Sequence, residues 1–286
     1  MIRIRTQMLL VAALLSFGAF AQGVEKELDT PYVPTPQAVV DRMLELAQVK
    51  PGETVVDLGS GDGRIMIDAA SKFGAHGFGV EIDPRLVQRS IEAAQRAGVS
   101  DRVKFLQQDL FQTDFHEANV LTLYLLPDVN LALRPKILRE LKPGSRVVSH
   151  DFGMGDWRPD AQETVPAPDK TVGARKESQV YLWTVPAHVE GDWSFELLSG
   201  GKARRTRLVL KQKFQMVSGS VELTGKGDVP LSGGRLRGDE IRLTLPPGAV
   251  DHGPVEMVGR ATGDALAGTL RKGGRELATW SATRRR

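Results

Sequence analysis

The chain has 286 residues, 41% of them hydrophobic, with 38 Lys or Arg against 35 Asp or Glu, a net charge of +3. That length suits two domains with real cores, the composition excludes a disordered chain, and so small a net charge is no reason to expect a nucleic-acid partner. Cysteine is absent, which rules out disulfides, thiolate metal sites and cysteine nucleophiles.

In chain order, Arg3 and Arg5 precede the apolar run Met8-Leu9-Leu10-Val11-Ala12-Ala13-Leu14-Leu15, and Ala19-Phe20-Ala21 closes it with a small-x-small cleavage pattern. Residues 1–21 are therefore expected to be a signal peptide cut after Ala21, which places the mature protein in the periplasm or outside the cell. The apolar run, roughly 13 residues, is short of the ~20 that a bilayer-spanning helix needs, so no integral membrane segment is expected after cleavage. A polar linker leads to Thr30-Pro31-Tyr32-Val33-Pro34-Thr35-Pro36. Pro36 suits the first turn of a helix with Thr35 as its N-cap, and Val39, Val40, Met43 and Leu44 supply a buried stripe.

Next comes Val55-Val56-Asp57-Leu58-Gly59-Ser60-Gly61-Asp62-Gly63-Arg64, a β-branched apolar run stopped by three glycines at alternate positions and followed by a helical pattern. It reads as strand, tight turn, helix, with the free N–H groups of the helix facing a ligand. A nicotinamide-binding turn would be spaced G-x-G-x-x-G. Here the spacing is G-x-G-x-G, and Asp57 and Asp62 would repel a pyrophosphate, so a cationic or zwitterionic ligand fits better. A second run, Gly77-Phe78-Gly79-Val80, ends in Glu81, placed to accept from both hydroxyls of a ribose. A third, Val103-Lys104-Phe105-Leu106, leads to Asp109 and Leu110, an acid for an exocyclic amine and an apolar cover for a base.

These three segments, DLGSGDGR, GVEIDP and Gln108-Asp109-Leu110, in this order and spacing, resemble the first three motifs of the class I S-adenosylmethionine-dependent methyltransferases. The resemblance implies a doubly wound α/β sheet with S-adenosyl-L-methionine at its carboxyl edge. Asp57, Gly59, Ser60, Gly61, Asp62 and Gly63 would then frame the methionine part of the cofactor, Glu81 its ribose, with Ile82 beside it, and Asp109 and Leu110 its adenine. The Y-V-P-T segment is similar to the cofactor-closing lead-in of a subgroup that includes the mitochondrial lysine methyltransferases acting on ATP synthase and on the adenine nucleotide translocase. Tyr32 and Thr35 would reach the methionine carboxylate or the acceptor pocket; a stiff approach to the first helix is the other reading. Export would demand a supply of the cofactor outside the cytosol.

Gly74 closes the first crossover helix, and Pro84 opens the second, which runs to Gly98. Ala118 to Pro127 reads as the fourth strand, whose carboxyl end must lie at the crevice in a doubly wound sheet. Tyr124 is a candidate wall of the acceptor pocket and Asn130, or Asp128, a candidate to orient the nucleophile; a core-edge ring and a helix N-cap are the plainer roles. Methyltransferases of planar amines often carry Asn-Pro-Pro-Tyr here, and Leu-Leu-Pro-Asp in its place leans toward a protein lysine, with a small-molecule acceptor as another possibility. The fifth strand, Ser145 to His150, ends in a histidine better read as hydrogen-bonded structure than as a general base. No His, Asp and Glu cluster has metal-ligand spacing, so no metal is expected. Gly153 to Lys176 reads as loop, and Gln179 to Val185 as one late strand of the sheet.

From Pro186 the texture changes. Short strands broken by glycine turns run over 193–198, 206–214, 219–224, 240–245, 255–262, 265–270 and 277–283, an antiparallel pattern that resembles a lipocalin-like β-barrel. Arg237-Gly238-Asp239 sits where a hairpin turn is expected. Residues 201–286 hold 17 Lys or Arg against 8 Asp or Glu, so the barrel is basic and the preceding part acidic. The whole reads as an exported two-domain protein: a signal peptide (1–21), a Rossmann-like methyltransferase domain (22–186) and an all-β barrel (187–286). The alternative is a nucleoside-binding envelope protein without turnover, whose barrel takes an apolar ligand or a partner. Oligomeric state is left open.

Overall fold

The computed structural model describes residues 31–249 and 252–285, so the expected signal peptide lies outside the described residues. Seven strands form the first sheet: β1 (Thr54–Leu58), β2 (His76–Glu81), β3 (Val103–Gln107), β4 (Val120–Leu123), β5 (Arg146–His150), β6 (Ala161–Pro166) and β7 (Glu177–Thr184). Their order is β3-β2-β1-β4-β5-β7-β6. The first five strands are parallel, and β7 alone runs against its neighbours β5 and β6. The order reverses between β1 and β4, which opens a crevice at their carboxyl ends. Register places Asp57 beside Gly79 on one side and Thr122 on the other.

Both faces of the sheet are covered, as a parallel sheet requires. Helices α1 (Gln37–Leu46), α2 (Arg64–Phe73) and α3 (Pro84–Arg96) pack on one face, burying Val39, Met43, Met66 and Ala94 against Val55, Val120 and Val148. On the other face α4 (Pro127–Glu140) sets Val129, Leu133 and Ile137 against Val56, Leu121 and Val147. Asp83 caps α3 by accepting from the Arg85 amide. Gly74 ends α2 in the left-handed region, as expected.

Three expectations are corrected. Thr35 is not the cap of α1: Pro36 occupies that position without a side-chain bond, and the Thr35 hydroxyl is turned to His150. Helix α4 begins at Pro127, three residues before Asn130, with Leu126 rather than Asp128 or Asn130 at its N-cap. The stretch read as loop contains β6, an edge strand hidden in sequence by Pro159, Pro166 and Pro168, which together with β7 completes the sheet.

The remaining strands are β8 (Gly191–Ser199), β9 (Lys202–Lys213), β10 (Met216–Leu223), β11 (Gly227–Pro230), β12 (Gly233–Arg237), β13 (Glu240–Leu245), β14 (Val255–Thr262), β15 (Ala265–Lys272) and β16 (Arg275–Arg284). They pair in the order β10-β12-β13-β14-β15-β16-β8-β9, and β9 pairs back on β10 to close an eight-stranded antiparallel barrel, with β11 hung on β10. Strands β11 and β12 are additions to the expected set. Trp193, Leu208, Val221, Ile241, Leu243 and Met257 alternate inward and pack into one apolar core. Arg237-Gly238-Asp239 does turn a hairpin, with Gly238 at φ 62°.

The barrel is fastened to the side of the first sheet. Phe214, at φ 54° in the β9–β10 turn, stacks on Trp157 at 5.9 Å and lies under the Arg134 guanidinium at 5.2 Å. Buried Gln215 donates to the Arg158 carbonyl at 2.7 Å, and Arg235 pairs with Asp160 at 2.6 Å.

Candidate active site at the carboxyl edge of the sheet

The ends of β1, β2, β3 and β4 enclose a cleft of about 1000 Å3, a size that holds a nucleoside with a long substituent. Of the predicted site residues, Tyr32, Asp57, Gly59, Ser60, Gly61, Asp62, Glu81, Ile82, Asp109, Leu110 and Tyr124 all line it. Gly63 and Asn130 do not.

Each glycine of the turn has left-handed φ, and each serves a different neighbour. A Cβ on Gly59 would come within 2.8 Å of the Leu125 side chain, and one on Gly61 within 2.7 Å of the Tyr32 ring, so both lie beneath walls of the cleft. At Gly63 a Cβ would meet Phe105 at 2.6 Å and Ser90 at 2.9 Å, so this glycine packs α2 on the sheet rather than facing a ligand. Arg64, whose role the sequence did not disclose, grips Asp62 through two nitrogens at 2.8 and 2.6 Å and donates to the Thr35 carbonyl at 2.7 Å.

The electrostatics are those of a cation site. Asp57 is 2% exposed and accepts from the Thr122 hydroxyl at 2.6 Å. Burial pushes its carboxyl up to about 7, against the lowering effect of that hydrogen bond and with help from the Glu81 and Asp62 charges. Among the described residues no salt bridge reaches Asp57. Glu81 is pinned by three backbone donors: Gly61 at 3.0 Å on one oxygen, Ile82 at 2.8 Å and Asp83 at 3.1 Å on the other. Two amides fill the lone-pair sites of Oε1, so it is Oε2, with one donor, that keeps capacity to accept from a hydroxyl. Asp109 accepts from the Phe111 amide at 2.8 Å and stands beside Leu110 at the far end of the cleft.

On the acceptor side, Tyr124 stacks on His150 at 3.7 Å and on Phe152 at 6.3 Å. Burial, aided by the Asp151 charge, pushes the Tyr124 phenol up to about 12. His150 is fully buried, with Nδ1 3.2 Å from the Thr35 hydroxyl and Nε2 2.8 Å from the Ser178 hydroxyl. Burial pulls its ring down to about 4, against the raising effect of Asp151 and with Lys170 adding to the fall, so it is neutral at physiological pH. Asn130 stands one turn into α4, fully buried, and donates to the carbonyls of Phe152 at 3.2 Å and Gly153 at 3.4 Å. Its amide secures the turn after β5 and is not brought to the crevice to orient a nucleophile.

Residues 57–161 match the family model of the ANTKMT methyltransferase domain. A protein-lysine N-methyltransferase of Saccharolobus islandicus is 42% identical over 159 residues, 55% of this chain and 95% of that relative. The chain belongs to the class I S-adenosylmethionine-dependent methyltransferases. The adenine nucleotide translocase lysine N-methyltransferase of Mus musculus is 37% identical over 137 residues, 48% of this methyltransferase and 59% of the mouse protein. The chain thus spans under two thirds of that relative. An RNA methyltransferase from Salinibacter ruber, solved with S-adenosyl-L-homocysteine, is 52% identical across 55% of this chain and 96% of its own, with a TM-score of 0.49.

The cofactor of this methyltransferase is S-adenosylmethionine, and the cleft suits it. The Ser60 hydroxyl is buried without a hydrogen-bond partner, and the Asp57 carboxyl has no cationic partner among the described residues. A ligand carrying an ammonium and a sulfonium supplies what these groups lack.

Proposed function

We propose that this protein transfers a methyl group from S-adenosylmethionine to a lysine side chain of a protein outside the cytosol. The observation that carries the lysine reading is the 42% identity to a protein-lysine methyltransferase over nearly all of that relative's length. Leu125-Leu126-Pro127-Asp128, at the place where planar-amine enzymes carry a different motif, agrees with it.

When bound, the cofactor supplies an electrophilic methyl carbon. In this reading Asp57 holds its ammonium end over the glycine turn, Glu81 accepts from the ribose hydroxyls, and Asp109 and Leu110 hold and cover the base. Tyr32 and its neighbours close over the turn and exclude water. The Tyr124 ring walls the acceptor side, and because its phenol stays protonated at neutral pH it acts as a wall, or accepts from an amine N–H through its oxygen and leaves the nitrogen lone pair free, rather than serving as a base. The export part of this proposal rests on the Arg3, Arg5 and Ala19-Phe20-Ala21 pattern, and a mature chain beginning at Gln22 would support it on N-terminal sequencing.

The test has two arms. Purified protein binds S-adenosylhomocysteine in calorimetry, and Asp57→Asn and Glu81→Gln each weaken binding at least about thirtyfold, the loss of a charge-assisted contact; unchanged affinity in both rejects the cofactor site. Incubation of envelope and cytosolic extracts with radiolabelled S-adenosylmethionine places label in protein, recovered as methyllysine. Label in RNA, in small molecules or in no fraction rejects the lysine reading.

A further inference from the structure

Residues 31–35 form a strap across the front of the cleft. They carry no secondary structure, and all five line the cavity. Among the described residues the strap is fastened by side chains: the Tyr32 ring lies over Gly61, the Arg64 guanidinium donates to the Thr35 carbonyl, and the Thr35 hydroxyl meets His150. His150 comes from the end of β5, 115 residues away in sequence. Its opposite nitrogen is held by Ser178 on β7, and its ring carries Tyr124 on its face. One buried imidazole therefore touches the strap, the neighbouring strand β7 and the acceptor wall.

Chemistry makes this junction directional. A neutral imidazole donates from one nitrogen and accepts at the other, and each hydroxyl can take either part. Removing the Thr35 hydroxyl leaves Nδ1 buried and unpaired among the described residues, which is costly. Behind the ring, Asp151 stands at φ 58° with its carboxylate 2.7 Å from the Lys170 ammonium and 3.4 Å from His150 Nε2. The shorter of these contacts goes to Lys170, and the Thr35 hydroxyl holds the opposite nitrogen of the ring.

We propose that His150 is a positioning residue: it latches the strap over the cofactor through Thr35 and, by carrying Tyr124 on its ring, keeps the acceptor wall in register with the closed strap. This rests on the reading of the cleft as the cofactor site. Closure of the strap slows cofactor release, and the same ring that senses closure sets the wall against which the acceptor amine docks.

The test uses the full chain and S-adenosylhomocysteine as probe, with affinity, dissociation rate and Tm measured together. Thr35→Val is expected to weaken binding about fivefold to tenfold, the worth of one hydrogen bond, chiefly by faster dissociation. Thr35→Ser, which keeps the hydroxyl, stays within about twofold of the unaltered protein on the same scale. His150→Phe keeps an aromatic ring on Tyr124 but loses the bond, so it matches Thr35→Val, and the double variant is no weaker than either single. Wild-type affinity in Thr35→Val, or losses that multiply in the double variant, overturns the latch. A fall in Tm without a change in affinity also overturns it. If His150→Phe does not fold, the contrast between Thr35→Val and Thr35→Ser decides alone. Failure of the unaltered protein to bind the probe overturns the cofactor reading instead.

Discussion

Asp57 and His150 are both buried and titrate abnormally, and the signs of their effects oppose each other. The Asp57 carboxyl is raised from 3.8 to about 7, so the folded protein keeps a proton that the unfolded chain has lost, and the contribution of this group to stability falls as pH rises across that window. His150 is lowered from 6.5 to about 4, so the unfolded chain takes up a proton first, and stability is lost as pH falls from 6.5 toward 4. Asp57→Asn removes only the first effect, and its Tm should therefore drop more steeply than that of the unaltered protein on acidification from 6.5 to 4. Ligand binding follows the ionised form of Asp57. S-adenosylhomocysteine affinity should rise with pH up to about 7 and level off beyond it, and calorimetry between about pH 5.5 and 8.5 should find that slope flattened in Asp57→Asn.

At the scale of the element, the turn between β1 and α2 divides its labour among its glycines. Gly61→Ala places a methyl group 2.7 Å from the Tyr32 ring, so the strap must shift, and S-adenosylhomocysteine binding should weaken about tenfold while a strained φ of roughly 1–2 kcal/mol lowers Tm by a few degrees. Gly63→Ala adds to that strain a clash with Phe105 and Ser90, overpacking that costs about 1–3 kcal/mol more, and should lower Tm further than Gly61→Ala does. Thermal melts beside binding isotherms separate the two. This turn was legible in sequence because strand, glycines and helix are contiguous and each step is local. The start of α4 was missed because Leu126 offers no capping side chain; with Pro127 at the first helical position, Asn130 falls a turn inside, facing the core. Prolines masked β6, and β11 and β12 are too short and glycine-rich to show a period. Thr35 before a helix-opening proline has every mark of a cap, and only its fold partner, His150, reveals otherwise.

At the scale of the molecule, a sheet with a core on each face and a barrel with its own core are joined by a small aromatic and polar seam. Phe214, Arg134, Trp157, Gln215 and the Arg235–Asp160 pair hold the barrel against the side of the larger sheet, away from the cleft mouth. Phe214→Ala combined with Arg235→Ala should therefore uncouple the halves: calorimetry, which should show one transition for the unaltered protein, should resolve two, with S-adenosylhomocysteine raising only one of them.

Closure of β9 on β10 has a consequence for how such a molecule can associate. Among the described residues the barrel offers no row of unpaired amides except along β11, four residues long and ending in Pro230. The larger sheet exposes β3, interrupted by the solvent-facing ammonium of Lys104, and β6, bracketed by Pro159 and Pro166. Among the described residues, every rim open to a foreign chain is thus short, charged or proline-guarded. Companions of this molecule must be won by side chains and shape, and the many strands it carries stay closed to backbone zippering.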